Sequence, residues 1–163
     1  MKRILGCLIA LAFAAGTVAA QEATTTAAHT FVKPVDIKFG DAPPVFAKGM
    51  RFAVISGDPS KEGLYVVRIK LPAGYKIMPH WHPTDENVTV LSGIFAVGMG
   101  DKFDVKTMTK LPIGGFAQLP ANMHHYAMAT TATTIQVHGM GPFALTYVNP
   151  EDDPSAKPAA TTK

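Results

Sequence analysis

Short stretches of β-branched and aromatic residues, interrupted by glycine and proline, limit this chain to a fold built from many short strands. Such residues are favoured in strands, whereas the interruptions are typical of turns. No segment keeps the period of an amphipathic helix for long. The pattern therefore predicts an all-β domain, an antiparallel sandwich or barrel. The predicted strands span residues 45–56 with a break at Lys48-Gly49, 64–71, 75–82, 86–91, 94–99, 116–119, 125–129, 133–138 and 143–148, and residues 101–110 are left undecided.

The first 20 residues have the features of a secretory signal peptide. Lys2 and Arg3 precede an apolar run, and small residues stand just before Gln21. Cleavage after Ala20 would remove Cys7, the only cysteine, so the mature chain would contain no disulfide. It would also lower the formal net charge from +3 to +1, because Lys2 and Arg3 would be lost. A charge so close to zero gives no indication of binding to nucleic acid or to an anionic membrane.

The mature chain is expected to form one domain that is secreted or periplasmic. Residues 21–30 are mostly alanine and threonine, and residues 150–163 lack any apolar pattern. Both segments are expected to be disordered tails, since they cannot bury enough apolar surface to offset the entropy of ordering. The folded domain is therefore assigned to residues 31–149, which contain all the large apolar residues of the mature chain.

Two histidines and a glutamate lie close together in the middle of the chain. His80 and His82 are two residues apart, so on a strand both imidazoles point to the same face. Glu86 follows after Pro83 and a short polar turn, from which a second strand can bring its carboxylate back beside them. Nitrogen and oxygen donors that converge in this way suit a divalent iron, manganese, nickel, copper or zinc ion.

The spacing of this segment resembles the first sequence motif of the cupin superfamily. That motif consists of a glycine, five residues, His-x-His, three or four residues, a glutamate, six residues and a glycine. Gly74, His80, His82, Glu86 and Gly93 occupy every fixed position of it.

A second segment resembles the looser second cupin motif. Gly114 and Pro120 match it, and His125 falls at the position of its histidine. Asn122 stands where the motif has another glycine, and asparagine tolerates a left-handed backbone better than most residues. Ala129 replaces the final asparagine of the motif.

The resemblance covers residues 64–148, with residues 31–63 as additional strands, and implies a double-stranded β-helix, the jelly-roll barrel. It further implies one divalent transition metal ion in the mouth of the barrel and a small organic molecule as ligand or substrate. It also implies a homodimer that pairs through the outer sheet. The implied metal ligands are His80, His82, Glu86 and His125.

Other polar residues compete with this assignment. Neighbouring strand residues face opposite sides, so only one of His124 and His125 easily reaches the metal; motif spacing favours His125. His124 would then point outward or form a supporting hydrogen bond. His138 and Gln136 share a strand face, and their roles are left open between cavity lining and an ordinary position in the sheet.

The apolar residues near the motifs are predicted to line the site or fill the core. Met78 shares the alternation of the histidines, and Phe95, Val97 and Met99 share one face of another strand. The methionines around His124 and His125 suggest copper handling, because thioether sulfur and imidazole both suit copper, but filling of core gaps is the favoured interpretation.

Two functions remain compatible with the sequence. The first is a metal-dependent enzyme, most concretely a dioxygenase-like oxidoreductase, in which Glu86 could serve as a base with help from Tyr75 or His138. The second is a module that binds a metal or a small ligand without turnover. A covalent hydrolase is disfavoured because neither a Ser-His-Asp set nor a nucleophilic cysteine is found in the mature chain.

Overall fold

The computed structural model describes residues 29–156 and is almost entirely β. The segment predicted to be a signal peptide, most of the predicted N-terminal tail and half of the predicted C-terminal tail lie outside the described residues. Residues 150–156 form two short 3-10 turns, Pro150–Asp152 and Pro154–Ala156. The strands are β1 Gly40–Asp41, β2 Arg51–Ser56, β3 Gly63–Leu71, β4 Lys76–Trp81, β5 Glu86–Ser92, β6 Phe95–Met99, β7 Thr109–Leu111, β8 Phe116–Leu119, β9 His125–Ala129, β10 Thr133–Gly141 and β11 Thr146–Tyr147.

The strands form two antiparallel sheets that pack face to face around one core. The first has the order β1-β2-β3-β10-β5-β8, and the second has the order β11-β4-β9-β6-β7. From β3 to β11 the chain crosses between the sheets at every step except that from β6 to β7, which is the crossing pattern of a jelly roll. The predicted fold class, a double-stranded β-helix, is confirmed. Among residues 29–156, no helix is long and apolar enough to cross a membrane.

The strand boundaries follow the predicted turns closely. β8 and β9 span the predicted residues, whereas β2 begins only at Arg51, after Gly49 with its φ of +106°. The undecided segment forms a 3-10 turn at Val105–Thr107 followed by β7. Two boundaries differ from the prediction: β10 continues through Gly139 to Gly141 instead of ending at His138, and only Thr146–Tyr147 of the predicted strand 143–148 is formed.

A β-bulge in β4 changes which of its side chains face the core. Ile77 pairs with Ala127 and His80 pairs with His125, so β4 has one more residue than β9 over the same length. Ile77 and His80 consequently both face inward although they are three residues apart. The prediction that Met78 lines the site is wrong, because strict alternation does not hold across the bulge.

The core between the sheets is formed by apolar side chains, and its fully buried members include Val88, Val90 and Val137. Phe95 and Val97 belong to it, as predicted. Met99 does not: it is half-exposed, because it is the last residue of β6 and the chain turns away at Gly100 with a φ of +104°.

Candidate metal centre

Three histidines converge from two segments of the five-stranded sheet. His80 lies in β4 directly opposite His125 in β9, and His82 follows immediately after β4. The alternation of side chains brings His82 back to the same face as His80. All three are buried, with exposed fractions of 2–4%.

The distances place the three imidazoles around one point. One nitrogen from each of His80, His82 and His125 lies within 4.8 Å of the other two. The ring centroids of His80 and His125 are 4.2 Å apart. A single ion between the rings could therefore contact all three nitrogens.

Glu86 reaches this cluster from the opposite sheet. It is the first residue of β5, and its Oε2 lies 3.5 Å from Nε2 of His125 and 3.7 Å from Nε2 of His82. The carboxylate thus contributes an oxygen on the remaining side of the histidine group. The structure brings together all four residues that the two motifs indicated, and their role as metal ligands stays a prediction.

Backbone carbonyl groups fix the orientation of each imidazole. Nδ1 of His80 lies 2.7 Å from the carbonyl oxygen of Met78, and Nδ1 of His125 lies 2.9 Å from that of Met123. Nδ1 of His82 lies 2.7 Å from the carbonyl oxygen of Ala144. Because a carbonyl oxygen only accepts, each Nδ1 carries a proton, and Nε2 is the nitrogen that each ring directs to the cluster.

The protonation of the cluster suits a cation. Burial, together with the neighbouring imidazoles of His125 and His82, lowers the pKa of His80 from 6.5 to about 3, so this ring is neutral at physiological pH. Burial alone would raise the pKa of Glu86, but the imidazoles of His125 and His82 outweigh it and lower the value to about 2. The site therefore combines the neutral imidazole of His80 with an ionised carboxylate.

Two of these donor atoms are buried without a partner. Nε2 of His82 and Nε2 of His125 make no hydrogen bond with any described residue. A buried polar atom in this state costs about 1–3 kcal/mol, which a bound ion would recover. Three nitrogens, two of which have no hydrogen-bond partner, and one carboxylate fit a divalent transition metal. Nitrogen and oxygen donors alone do not distinguish among iron, manganese, nickel, copper and zinc.

A left-handed turn in the second motif supports this geometry. Asn122 adopts a φ of +62°, the conformation expected from its place at the motif's glycine. Its backbone N–H donates to the carbonyl oxygen of His82 at 2.8 Å. This turn thus links the loop before His125 directly to the backbone of another predicted ligand.

The competing residues lie away from the cluster. His124 points outward, where its Nδ1 lies 2.6 Å from Oδ1 of Asp101. His138 and Gln136 are not among the residues that line the cavity, and Gln136 accepts a hydrogen bond from Arg68. The thioethers suggested by the copper interpretation do not line it either: Met123 is exposed, and Met128 is half-buried.

The four predicted ligands form part of the lining of a cavity of about 400 Å³ between the two sheets. Apart from the four predicted ligands, its lining is nearly all apolar. Two segments that the sequence did not single out complete it, residues 43–46 and residues 143–145. They contain no reactive side chain, so no chemical signal in the sequence could have marked them. Tyr75, considered above as a catalytic aid, does not line the cavity and donates its hydroxyl proton to the carbonyl oxygen of Ala47.

Comparisons with known proteins give the same fold. No family model and no curated protein sequence matches the chain. Among solved structures, a proposed acetylacetone dioxygenase from Methylibium petroleiphilum PM1 aligns with a TM-score of 0.62 and 20% identity, over 80% of this chain and 88% of that one. The polyketide cyclase RemF from Streptomyces resistomycificus aligns with a TM-score of 0.65 and 16% identity, over 78% and 91% of the two chains.

An RmlC-like cupin from Shewanella frigidimarina NCIMB 400 aligns with a TM-score of 0.54 and 18% identity, over 69% of this chain and 91% of that one. The resemblance drawn from the two motifs is therefore confirmed at the level of the fold: the chain has the cupin fold. Neighbours with this fold carry different activities, so the fold does not select a reaction.

Proposed function

We propose that this protein binds one divalent transition metal ion through His80, His82, His125 and Glu86 and acts on a small organic molecule as a dioxygenase-like oxidoreductase. The observation that carries the proposal is the convergence of three imidazole nitrogens and one carboxylate in the lining of an apolar cavity. Four protein donors leave positions free on a six-coordinate ion. When bound, the ion would supply a redox centre or a Lewis acid at those positions.

The residues around the cluster prepare it for chemistry on an organic ligand. The apolar walls exclude water, which strengthens electrostatic interactions within the cavity. Glu86 carries the one carboxylate among the described lining residues, so it is the one carboxylate there that could accept a proton when it does not bind the metal. Glu86 is therefore the candidate base.

The dioxygenase form of the proposal is supported by the likeness to the proposed acetylacetone dioxygenase, although that likeness is one of fold. A second candidate function is non-catalytic binding of a metal or a small ligand. It is favoured by the scarcity of further acid or base groups, because Ser60 and Tyr65 are the only other polar side chains among the described lining residues. Export of the mature protein and pairing of two copies remain proposals from the sequence.

The first experiment is elemental analysis of protein purified without a histidine tag, followed by measurement of oxygen uptake. About one equivalent of iron, manganese, copper or nickel, with oxygen consumed when small ketones or diketones are added, is the result expected for the enzyme. One equivalent of metal with no oxygen uptake would favour the binding module. Absence of metal, with none taken up on reconstitution, would overturn both.

A further inference from the structure

The charges around the cavity restrict what it can hold beyond the metal. Within the described residues, the lining contains no lysine, arginine or aspartate, and its one carboxylate is Glu86. Two cations next to lining residues in the sequence, Arg68 and Lys61, have partners of their own. Arg68 donates to Gln136, which does not line the cavity, and Lys61 pairs with Asp58 at 3.1 Å.

A carboxylate on the ligand body, the part of the ligand beyond the atoms bound to metal, would therefore find no cationic side chain as a partner. Recognition of a carboxylate in a buried site usually relies on arginine or lysine, and an unpaired charge in an apolar cavity is strongly disfavoured. A bound metal ion would bind the ligand's own metal-binding atoms, and no second cation remains for the rest of the molecule. The lining thus disfavours anionic ligand bodies.

The two remaining polar side chains of the lining refine this restriction. The hydroxyl of Ser60 already donates to Asp58 at 2.6 Å. Tyr65 is only 2% exposed, and its hydroxyl makes no hydrogen bond with any described residue. It pairs in register with Gly139, which in turn pairs with Glu86, so the three lie in one row across adjacent strands.

The glycine in this row makes room for the tyrosine. A Cβ atom at Gly139 would lie 3.0 Å from the hydroxyl oxygen of Tyr65, so the phenol end lies over the glycine. The phenol hydroxyl can therefore donate a hydrogen bond on the side of the cavity from which Glu86 extends.

We propose that the cavity selects ligands whose body, beyond the atoms bound to metal, is uncharged and largely apolar, with an oxygen that can accept a hydrogen bond from Tyr65. Small ketones, diketones and their aromatic analogues belong to this class, whereas carboxylic acids of the same size are rejected. The inference rests on the proposed function, since it names the ligand class of the same site.

The test compares isosteric probes by calorimetry at pH 8. The first pair is 3,4-dihydroxyacetophenone and 3,4-dihydroxybenzoate, which share a chelating end and differ in the charge of the body. The affinities of this pair are measured under anaerobic conditions on protein of known metal content. The ratio of the ketone's affinity to the acid's affinity is then divided by the same ratio measured for the free metal ion, so that a difference in chelation alone is removed. The second pair, acetophenone and benzoate, has no chelating end and reports on the cavity in protein without metal. In both pairs the neutral probe is expected to bind at least tenfold more tightly.

A matched pair of variants tests the cause. Val45 is half-buried and lines the cavity, and its backbone carbonyl accepts from Tyr147 whatever its side chain. Val45→Lys is expected to reduce the preference for the neutral probe at least fivefold, whereas Val45→Met should keep it within twofold. Tyr65→Phe should weaken the binding of acetophenone at least threefold. The same variant should change the affinity for α-methylstyrene, which has no oxygen, by less than twofold.

The outcomes separate the two proposals. Metal-containing protein that binds the acid as tightly as the ketone, or that binds neither, would overturn the ligand class and leave the metal site standing. A preference for acetophenone in protein that takes up no metal would overturn the proposed function and support the ligand class. An unchanged preference in Val45→Lys would show that charge in the cavity does not determine it.

Discussion

Replacement of Gly98 by alanine should destabilise the protein through a single contact. Gly98 pairs directly with Tyr126 across β6 and β9, and both are buried. A Cβ atom at Gly98 would lie 2.2 Å from Cε2, 2.3 Å from Cζ and 2.6 Å from the hydroxyl oxygen of Tyr126. These separations are far below van der Waals contact, so the ring would have to move.

The cost follows from what holds the ring in place. Tyr126 is 1% exposed, its hydroxyl lies 2.7 Å from Oγ1 of Thr107, and its ring packs on Phe103 at 5.2 Å. Overpacking of a buried position costs about 1–3 kcal/mol. Loss of the hydrogen bond adds about 1 kcal/mol. Gly98→Ala should therefore lower the free energy of unfolding by about 2–4 kcal/mol, summing these two terms.

The assay is urea unfolding of four proteins that form a double-mutant cycle. Tyr126→Leu lacks all three atoms that the new Cβ would meet, so in that background Gly98→Ala should cost less than about 1 kcal/mol. Gly40→Ala is the control, because no atom lies within 4 Å of its added Cβ. An equal cost of Gly98→Ala in both backgrounds would refute the reasoning, since the contact with Tyr126 would then not be its cause.

Three further predictions address the site and its supports. His125→Ala should lose stoichiometric metal in elemental analysis while His124→Ala keeps it; metal at full occupancy in both would remove His125 from the ligand set. Asn122→Val should lower the free energy of unfolding by about 1–2 kcal/mol, because a β-branched residue is strained at a φ of +62°. Asn122→Gly should change it by only about a few tenths of a kcal/mol. Equal free energies of unfolding in the two variants would contradict a left-handed turn. Burial raises the pKa of Tyr75 and Tyr147 from 10.0 to about 12, so the folded protein keeps protons that the unfolded chain releases. Stability should therefore fall as pH rises from about 10 to about 12, and a flat profile in urea titrations would show that these hydroxyls are not buried.

The histidines and the turns were predictable because their signals are local. The two-residue spacing of His80 and His82 fixes a common face on a strand, and glycine or asparagine at a left-handed position marks a turn whatever surrounds it. The choice of His125 over His124 needed the motif, and the structure buries the first and exposes the second. Local rules thus gave most of the strands and the common face of His80 and His82, whereas the convergence of His125 with them was implied by the resemblance to the cupin motifs.

The remaining features depend on pairing between distant strands. The bulge in β4 is defined against β9, and no property of Met78 itself shows that Ile77 takes the inward position. The exposure of Met99 likewise depends on where β6 ends. The cavity walls at residues 43–46 and 143–145 are ordinary apolar segments whose place is set by the closure of the barrel. Alternation along a single strand carries no information on any of these.

Main-chain atoms alone orient the three imidazoles, and every amino acid supplies the same carbonyl group. Substitutions at Met78, Met123 or Ala144 would change side-chain packing without deleting the oxygen that receives each Nδ1 proton. Mutations at these positions can therefore accumulate during evolution while the donor lone pairs keep their direction. Descendants of this chain could acquire new cavity walls and new ligands around an unaltered set of nitrogen atoms.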